Sequence, residues 1–286
     1  MGFEPSHAAP LKGDFQDQGA LCANVAALTD IGQKRKNNED NYLVLPLDGE
    51  VLRQSTDGFT FSLSGPGLLL AVADGMGGHQ SGEVASRLCV ESLGEELLAR
   101  LPQPRTAAQI LEPLFKEAVE ATHGAIFAAS QRDPALEGMG CTLTGILLYS
   151  NRADVAQVGD SRAYLFRDGN LTLLTQDQTV GNLLRAADGP PLGDRVNDIL
   201  TQAMGAQQNV NAVMSSTELR PLDDLLICCD GLYKVVPDAE IAAILAWEAP
   251  LHDKAERLIS QANQHGGPDN ITVVLAEIRA RPDGAP

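Results

Sequence analysis

Aromatic residues are scarce in this 286-residue chain, at 4% of the total: one Trp, four Tyr and seven Phe. Its core therefore has to be built from Leu, Val, Ile and Ala, and a hydrophobic content of 44% is enough for that. Basic residues are also few. Twenty-one Lys and Arg face 38 Asp and Glu, giving a formal net charge of −17. Such a surface repels phosphate backbones and anionic lipid, which argues against nucleic acid and membranes as partners. The five cysteines, Cys22, Cys89, Cys141, Cys228 and Cys229, form no CxxC pair and are odd in number. They read as small buried hydrophobes in a reducing compartment, not as disulfides or zinc ligands. No apolar run approaches a membrane span and no leader-like segment opens the chain, so the expected setting is soluble and cytoplasmic. A GxxxxGK[ST] loop, a GxSxG elbow and the kinase loop set are all missing, which excludes the nucleotide-binding and hydrolase chemistries they serve.

What the chain does have is a series of short apolar runs bounded by carboxylates. In "LLLAVADGMGGHQSGEVAS", residues 68–86, an apolar strand is expected to stop at Asp74, followed by glycine-rich backbone and a helix. Strands are also expected at "LCANVAALTDIG", "NYLVLPL", "CTLTGILLY", "RADVAQVG", "RAYLFRDG", "LTLLTQ", "DDLLICCD" and "ITVVLAEI", with "RDGN" as a hairpin turn. Helical spacing of apolar residues predicts helices over 80–100, 106–131, 237–247 and 252–265. Residues 1–20 read as a loose tail and 21–280 as one domain. Within it, 180–203 forms an irregular or partly helical flap. Runs of adjacent strands interrupted by helix pairs indicate an α+β fold, with antiparallel sheets covered by helices.

Several strand boundaries carry an acid: Glu39 and Asp40 before one strand, Asp74, Asp160 and Asp230 after others, and Asp269 before the last. Any single Asp-Gly is ordinary turn chemistry. Taken together they suggest strand ends gathered at one place, where carboxylates repel unless a cation neutralises them. Oxygen donors without accompanying thiols suit Mg²⁺ or Mn²⁺ better than zinc. Two such ions sharing a carboxylate are the arrangement used for phosphoester hydrolysis.

The segments "GQKRKNNEDN", "VADGMGGHQSGEVAS", "GMGCTLTGILL", "VAQVGDSRAYLFRDG", "TQDQTV", "LTQAMG", "LLICCDGL" and "GGPDNITVVL" together resemble, in order and spacing, the PP2C-type (PPM family) metal-dependent protein serine/threonine phosphatases of compact bacterial type. The resemblance covers about residues 22–278. It implies a four-layer α-β-β-α sandwich with two central antiparallel sheets and a metal site at one end. The implied reaction is hydrolysis of phosphoserine and phosphothreonine in proteins, opposing a bacterial Ser/Thr kinase, by a monomer.

Carried over by motif, Asp74 bridges two Mn²⁺ or Mg²⁺ ions and the Gly75 carbonyl binds one of them. Asp230 and Asp269 bind the other, and Glu39 and Asp40 hold waters or reach a metal. Asn270 supports the ligands from behind, and Arg35 grips the substrate phosphate. Asp160, with Asp230, matches a third, weaker metal; the alternative is a turn in which Asp160 pairs with Arg162. Some positions depart from the family pattern. Met76 replaces a histidine of animal-type members; His79 nearby reads better as a polar loop residue than as the alternative, a substitute proton donor. Cys141 replaces Thr or Ser, Gln178 replaces His, and Gln202 or Ala203 replaces Arg. Rival readings are a catalytically weak regulatory or binding module of the same fold, a two-metal nuclease or nucleotide hydrolase, and a plain structural domain.

Overall fold

A computed structural model describes residues 20–48, 60–65, 67–76, 81–101, 111–187 and 193–281. The chain opens with strands Leu21–Asp30 (β1), Asp40–Pro46 (β2), Thr60–Ser62 (β3) and Leu68–Met76 (β4). Helices Ser81–Arg100 (α1) and Glu112–Arg132 (α2) follow. Next come Gly140–Cys141 (β5), Leu143–Tyr149 (β6), Arg152–Val158 (β7), Arg162–Arg167 (β8) and Asn170–Leu173 (β9). Short helices Val180–Ala186 (α3) and Asp194–Asn197 (α4) precede strands Val213–Glu218 (β10) and Asp224–Cys228 (β11). Helices Asp230–Tyr233 (α5), Asp238–Leu245 (α6) and Leu251–Gln264 (α7) lead to the last strand, Ile271–Ala280 (β12).

Two antiparallel sheets result, in the orders β3-β1-β12-β11-β8-β9 and β10-β7-β6-β4-β2, with β5 pairing the end of β4. The strands read as unbroken apolar runs because both of their faces are buried. In β4, Leu68, Leu70 and Val72 point into the core between the sheets. Leu69, Ala71 and Ala73 point the other way, into a core shared with α1 and α2. In β12, Val274, Ala276 and Ile278 face the inter-sheet core. Ile271, Val273 and Leu275 meet Ile241, Leu245, Leu258 and Ala262 of α6 and α7. Three stacked cores therefore separate four layers, and the expected α+β sandwich with two central antiparallel sheets is what the chain forms. The side-chain period of two decides which core each residue enters.

The "RDGN" hairpin is found where expected. Asp168 and Gly169 both take positive φ, as a two-residue turn matched to strand twist requires. The flap segment is partly helical, and it is closed at its base by an antiparallel bridge between Thr179 and Leu200. Other expectations need correction. β4 does not stop at Asp74. It runs on to Met76 by changing partner, because Gly75 and Met76 pair with Cys141 and Gly140 of β5. "CTLTGILLY" is broken at Thr142, whose N–H donates to the Asp74 carbonyl at 2.8 Å. Within the described residues the second helix begins at Glu112, and 106–110 lie outside them, as do residues 1–19 of the expected tail. Edge strand β10 was not foreseen: its "VMSSTE" is mostly exposed and carries no apolar alternation. No described helix is long and apolar enough to cross a membrane.

Leu222, in the turn between β10 and β11, has φ 74 and is 71% exposed, while its N–H donates to the Ile278 carbonyl at 2.8 Å. A left-handed backbone costs an L side chain about 1–2 kcal/mol, and this side chain buries little in return. Leu222→Gly is expected to raise unfolding stability by about 0.5–1 kcal/mol after glycine's own entropy cost. Leu222→Ala, which keeps the Cβ, should give no gain. Denaturant midpoints of the two variants check this, and a destabilised glycine variant would refute it.

Candidate metal centre

The acidic strand boundaries all fall at one end of the sandwich. β2 starts there and β4 ends there; β11 ends and β12 starts; β7 ends and β8 starts. An open pocket of about 330 Å³ lies at this end. Arg35, Glu39, Asp74, Gly75, Asp160, Asp230 and Asp269 line it, together with Met76, Thr142, Asp198, Leu200 and Lys234. Asp40 sits behind them, 5% exposed. Every site residue expected from the sequence is thus at this end, and Asn270 lies buried next to Asp269.

Two of the acids are sheet partners. Asp40 and Asp74 stand directly opposite each other in the β2–β4 ladder. Like charges in such a pair repel. Burial first, and then Asp40 and Asp230, push the Asp74 carboxyl well above the usual range. Burial likewise pushes Asp40 up to about 7, against the opposing pull of the Thr272 hydroxyl, which donates to its Oδ2 at 2.7 Å. Burial and Asp230 raise Asp160 to about 6. Glu39 is raised by burial too, with Arg35 opposing.

Among the described residues, three buried side-chain polar atoms lack a hydrogen-bond partner, and two of them are Asp40 Oδ1 and Asp230 Oδ1. Unpaired buried carboxylate oxygens are costly, and a cation removes that cost. One oxygen each of Asp40 and Asp74 lies within 4.8 Å of the other and of Cys229 Sγ. The thiol is otherwise engaged: Sγ donates to the Asn270 carbonyl at 3.3 Å and accepts the Thr272 N–H at 3.1 Å, and burial raises its pKa well above normal. It stays protonated, which leaves an all-oxygen donor set that fits hard divalent ions.

The backbone around these acids is held closely. A Cβ on Gly75 would meet the Gly82 carbonyl oxygen at 2.3 Å and that of Glu39 at 2.5 Å. A Cβ on Gly231 would meet the Asn270 carbonyl oxygen at 1.9 Å. Asn270 holds the β1–β2 loop at three points: Nδ2 donates to the Ile31 and Asn37 carbonyls at 3.0 and 2.9 Å, and Oδ1 accepts the Glu39 N–H at 2.9 Å. Its own N–H donates to Asp269 Oδ1 at 2.9 Å. The polar loop carrying Arg35 and Glu39 is thereby fixed to the start of β12. Arg35 Nη2 donates to Asp269 Oδ2 at 2.6 Å, and this bond holds the guanidinium above its ordinary pKa.

The family profile for protein phosphatase 2C matches residues 53–275. The chain belongs to the protein phosphatase 2C family. It is 36% identical over 263 residues to the serine/threonine protein phosphatase PstP of Mycobacterium tuberculosis, covering 90% of this chain but only 45% of PstP's length. The serine/threonine phosphatase Stp of Listeria welshimeri is 35% identical over 257 residues, covering 87% of this chain and 93% of Stp. A crystal structure of the PstP catalytic domain with two manganese ions superposes with TM-score 0.73 at 36% identity, covering 91% of this chain and 99% of that one.

Some features of this family member were not visible in its sequence. Asp160 does not pair with Arg162. Its Oδ2 accepts the Tyr233 hydroxyl at 3.3 Å, while Arg162 forks onto Asp177 at 2.9 and 2.7 Å and stacks over the Tyr233 ring. Asp230 opens helix α5 instead of a turn, which brings Lys234 back onto it at 2.7 Å. The i, i+4 spacing was the available signal for that pair. Thr142 falls inside an expected strand, yet its hydroxyl accepts the Asp74 N–H at 3.0 Å and meets Ser161 Oγ at 2.6 Å. His79 lies outside the described residues.

The raised carboxyls make stability depend on pH in a defined direction. A carboxyl that ionises less readily when folded binds more protons in the native state, so stability falls as pH rises from its unfolded to its folded pKa. For Asp40 that window runs from 3.8 to about 7. Chelator-treated protein should melt at lower temperature at pH 8 than at pH 5, and Asp40→Asn should flatten this slope. Added Mn²⁺ should restore the melting temperature at pH 8. A melting temperature that rises through this window in chelator would contradict the assignment.

Asn270→Ala deletes three side-chain hydrogen bonds. At about 1 kcal/mol each, a loss of about 2–4 kcal/mol is expected in denaturant unfolding. An unchanged midpoint would show that the Arg35 loop is held by other means.

Proposed function

We propose that the chain hydrolyses phosphoserine and phosphothreonine in proteins, at a centre of two Mn²⁺ or Mg²⁺ ions, opposing a Ser/Thr kinase in the cytoplasm. The observation that carries this reading is the Asp40–Asp74 pair: a buried and a half-buried carboxylate opposed across a ladder, with an oxygen of Asp40 left unpaired, at an open pocket that Asp74 and Arg35 line. Asp74 would be the ligand that both ions share, the Gly75 carbonyl would serve one ion and Asp230 and Asp269 the other, and Glu39 and Asp40 would reach an ion directly or through water. When bound, two divalent ions activate a water for attack at phosphorus and offset the negative potential that would otherwise turn a phosphate away.

The chain's own residues orient that chemistry. Thr29 and Thr272 hydroxyls lie 2.7 Å apart and relay to Asp40, which fixes the plane of its carboxylate. Thr142 and Ser161 hold the Asp74 backbone from the opposite side. Arg35 is about half exposed, so its planar fork is free to exchange Asp269 for the oxygens of an incoming phosphate, where charge develops. No side chain is required as a nucleophile. Residues 180–203 carry the exposed apolar side chains Leu183, Val196 and Ile199 beside the pocket and are suited to contact a protein substrate.

The deciding experiment is turnover of a phosphothreonine peptide with and without Mn²⁺. Activity should require the ion and vanish with chelator. Asp74→Ala should lose more than Glu39→Ala, and full turnover by Asp74→Ala would sink the two-ion reading. Arg35→Ala should fold normally and lose about ten- to a hundredfold in kcat/KM, mainly through KM, as expected for one charge-assisted bond of roughly 1.5–3 kcal/mol. Ion binding without peptide turnover would favour the second reading, a regulatory or binding module on the same fold. Shortening 180–203 should alter phosphoprotein preference while an aryl phosphate is still hydrolysed.

A further inference from the structure

Two basic residues line the pocket, Arg35 and Lys234, and the two-ion reading gives a role only to Arg35. It follows α5 directly, so its side chain returns along the helix to Asp230, with Nζ 2.7 Å from Oδ2. The same ammonium lies 3.6 Å from Asp198 Oδ2 and 3.9 Å from Asp160 Oδ2. Asp230 is the first residue of α5, Asp160 comes from the β7–β8 connection and Asp198 from the segment just after α4. One tethered cation thus meets acids from three separate parts of the chain, and two of them are mostly buried: Asp160 is 7% and Asp230 18% exposed in their side chains. An ordinary surface pair would join two solvated groups and contribute little. Tyr233, the preceding residue, donates its hydroxyl to the same Asp160 oxygen, so two consecutive side chains address that acid.

We propose that the Lys234 ammonium is the resident cation between Asp160 and Asp230, in the place where a third divalent ion was expected, and that it is a positioning residue for Asp230. The proposal rests on the two-ion reading of the inner site. A covalently tethered charge holds this place at any concentration of free metal, as a linked binding group does. It leaves one oxygen of Asp230 for the inner site: Oδ2 is taken by Lys234, and Oδ1 is the buried oxygen that has no partner. Through Asp198 the same charge draws the base of the 193–200 segment to the pocket rim. Two ions then suffice for this chain, and removal of the ammonium opens a place for one more.

The test counts ions directly. Mn²⁺ bound per chain is measured by equilibrium dialysis for wild type, Lys234→Ala, Lys234→Gln, Lys234→Arg and the double variant Lys234→Ala/Asp160→Asn, with thermal melts to show that each is folded. Wild type and Lys234→Arg should saturate at two Mn²⁺. Lys234→Ala and Lys234→Gln should take up a third, weaker one, and the double variant should lose it again. In rate measurements, half-saturation by Mn²⁺ should rise about tenfold in Lys234→Ala and Lys234→Gln, the scale for loss of a group that orients a ligand, and return in Lys234→Arg. A third Mn²⁺ in the wild type, with the same affinity in Lys234→Ala, would overturn the proposal and leave the two-ion reading intact. No Mn²⁺ bound to the wild type would overturn both.

Discussion

Two carboxylates face each other across a β-ladder, and the organisation of this end of the molecule depends on that pairing. Asp40 and Asp74 are register partners, so β2 and β4 cannot form without bringing them together. The apolar sides of both strands fix that register, since a one-residue slip would turn the buried leucines outward. Hydrophobic burial therefore forces an electrostatic conflict into a defined place. The hydroxyl of Thr272, the raised carboxyls and the unpaired oxygens are all responses to it. What resolves it is positive charge, and the chain supplies some of its own at the rim through Arg35 and Lys234.

The double-sheet architecture makes this convergence possible. Strands of both sheets reach the same end, and the connection between β7 and β8 crosses from one sheet to the other there, carrying Asp160 with it. Acidic side chains from residues 39 to 269 can then meet without any long excursion of the chain. The scaffold beneath them is rigid because it has three stacked apolar layers. The scarcity of aromatic rings is no handicap, since paired sheets are filled well by Leu, Val, Ile and Ala.

Most of the sandwich was legible in the sequence because strands buried on both faces appear as unbroken apolar runs, and because their ends are marked by acids. The acids themselves were legible as a group, though not singly. What stayed hidden followed from weaker signals. β10 reads "VMSSTE" and packs at an edge with little burial, so it has neither alternation nor a run. The continuation of β4 past Asp74 depends on a two-residue partner far along the chain, which no local pattern announces. The return of Lys234 onto Asp230 depends on helix α5, a single turn between a strand and a loop, too short to show periodicity. Thr142, Ser161 and Thr272 act through hydroxyl geometry, which residue type alone does not reveal.

The pairing of β5 has a mechanical consequence. Gly140 and Cys141 are bound on one side to Met76 and Gly75, while Cys141 on its other side exchanges both backbone hydrogen bonds with Met204, at the exit of the 193–204 segment. A single residue is therefore the rivet between a surface segment and the peptide beside Asp74. Force applied to that segment by a docked protein would travel through two ladder rungs to Gly75, where a Cβ's worth of space is already absent. With so little slack, small displacements outside become displacements of the same order at the centre, whereas a small phosphate ester, touching only the pocket, would leave that linkage unloaded.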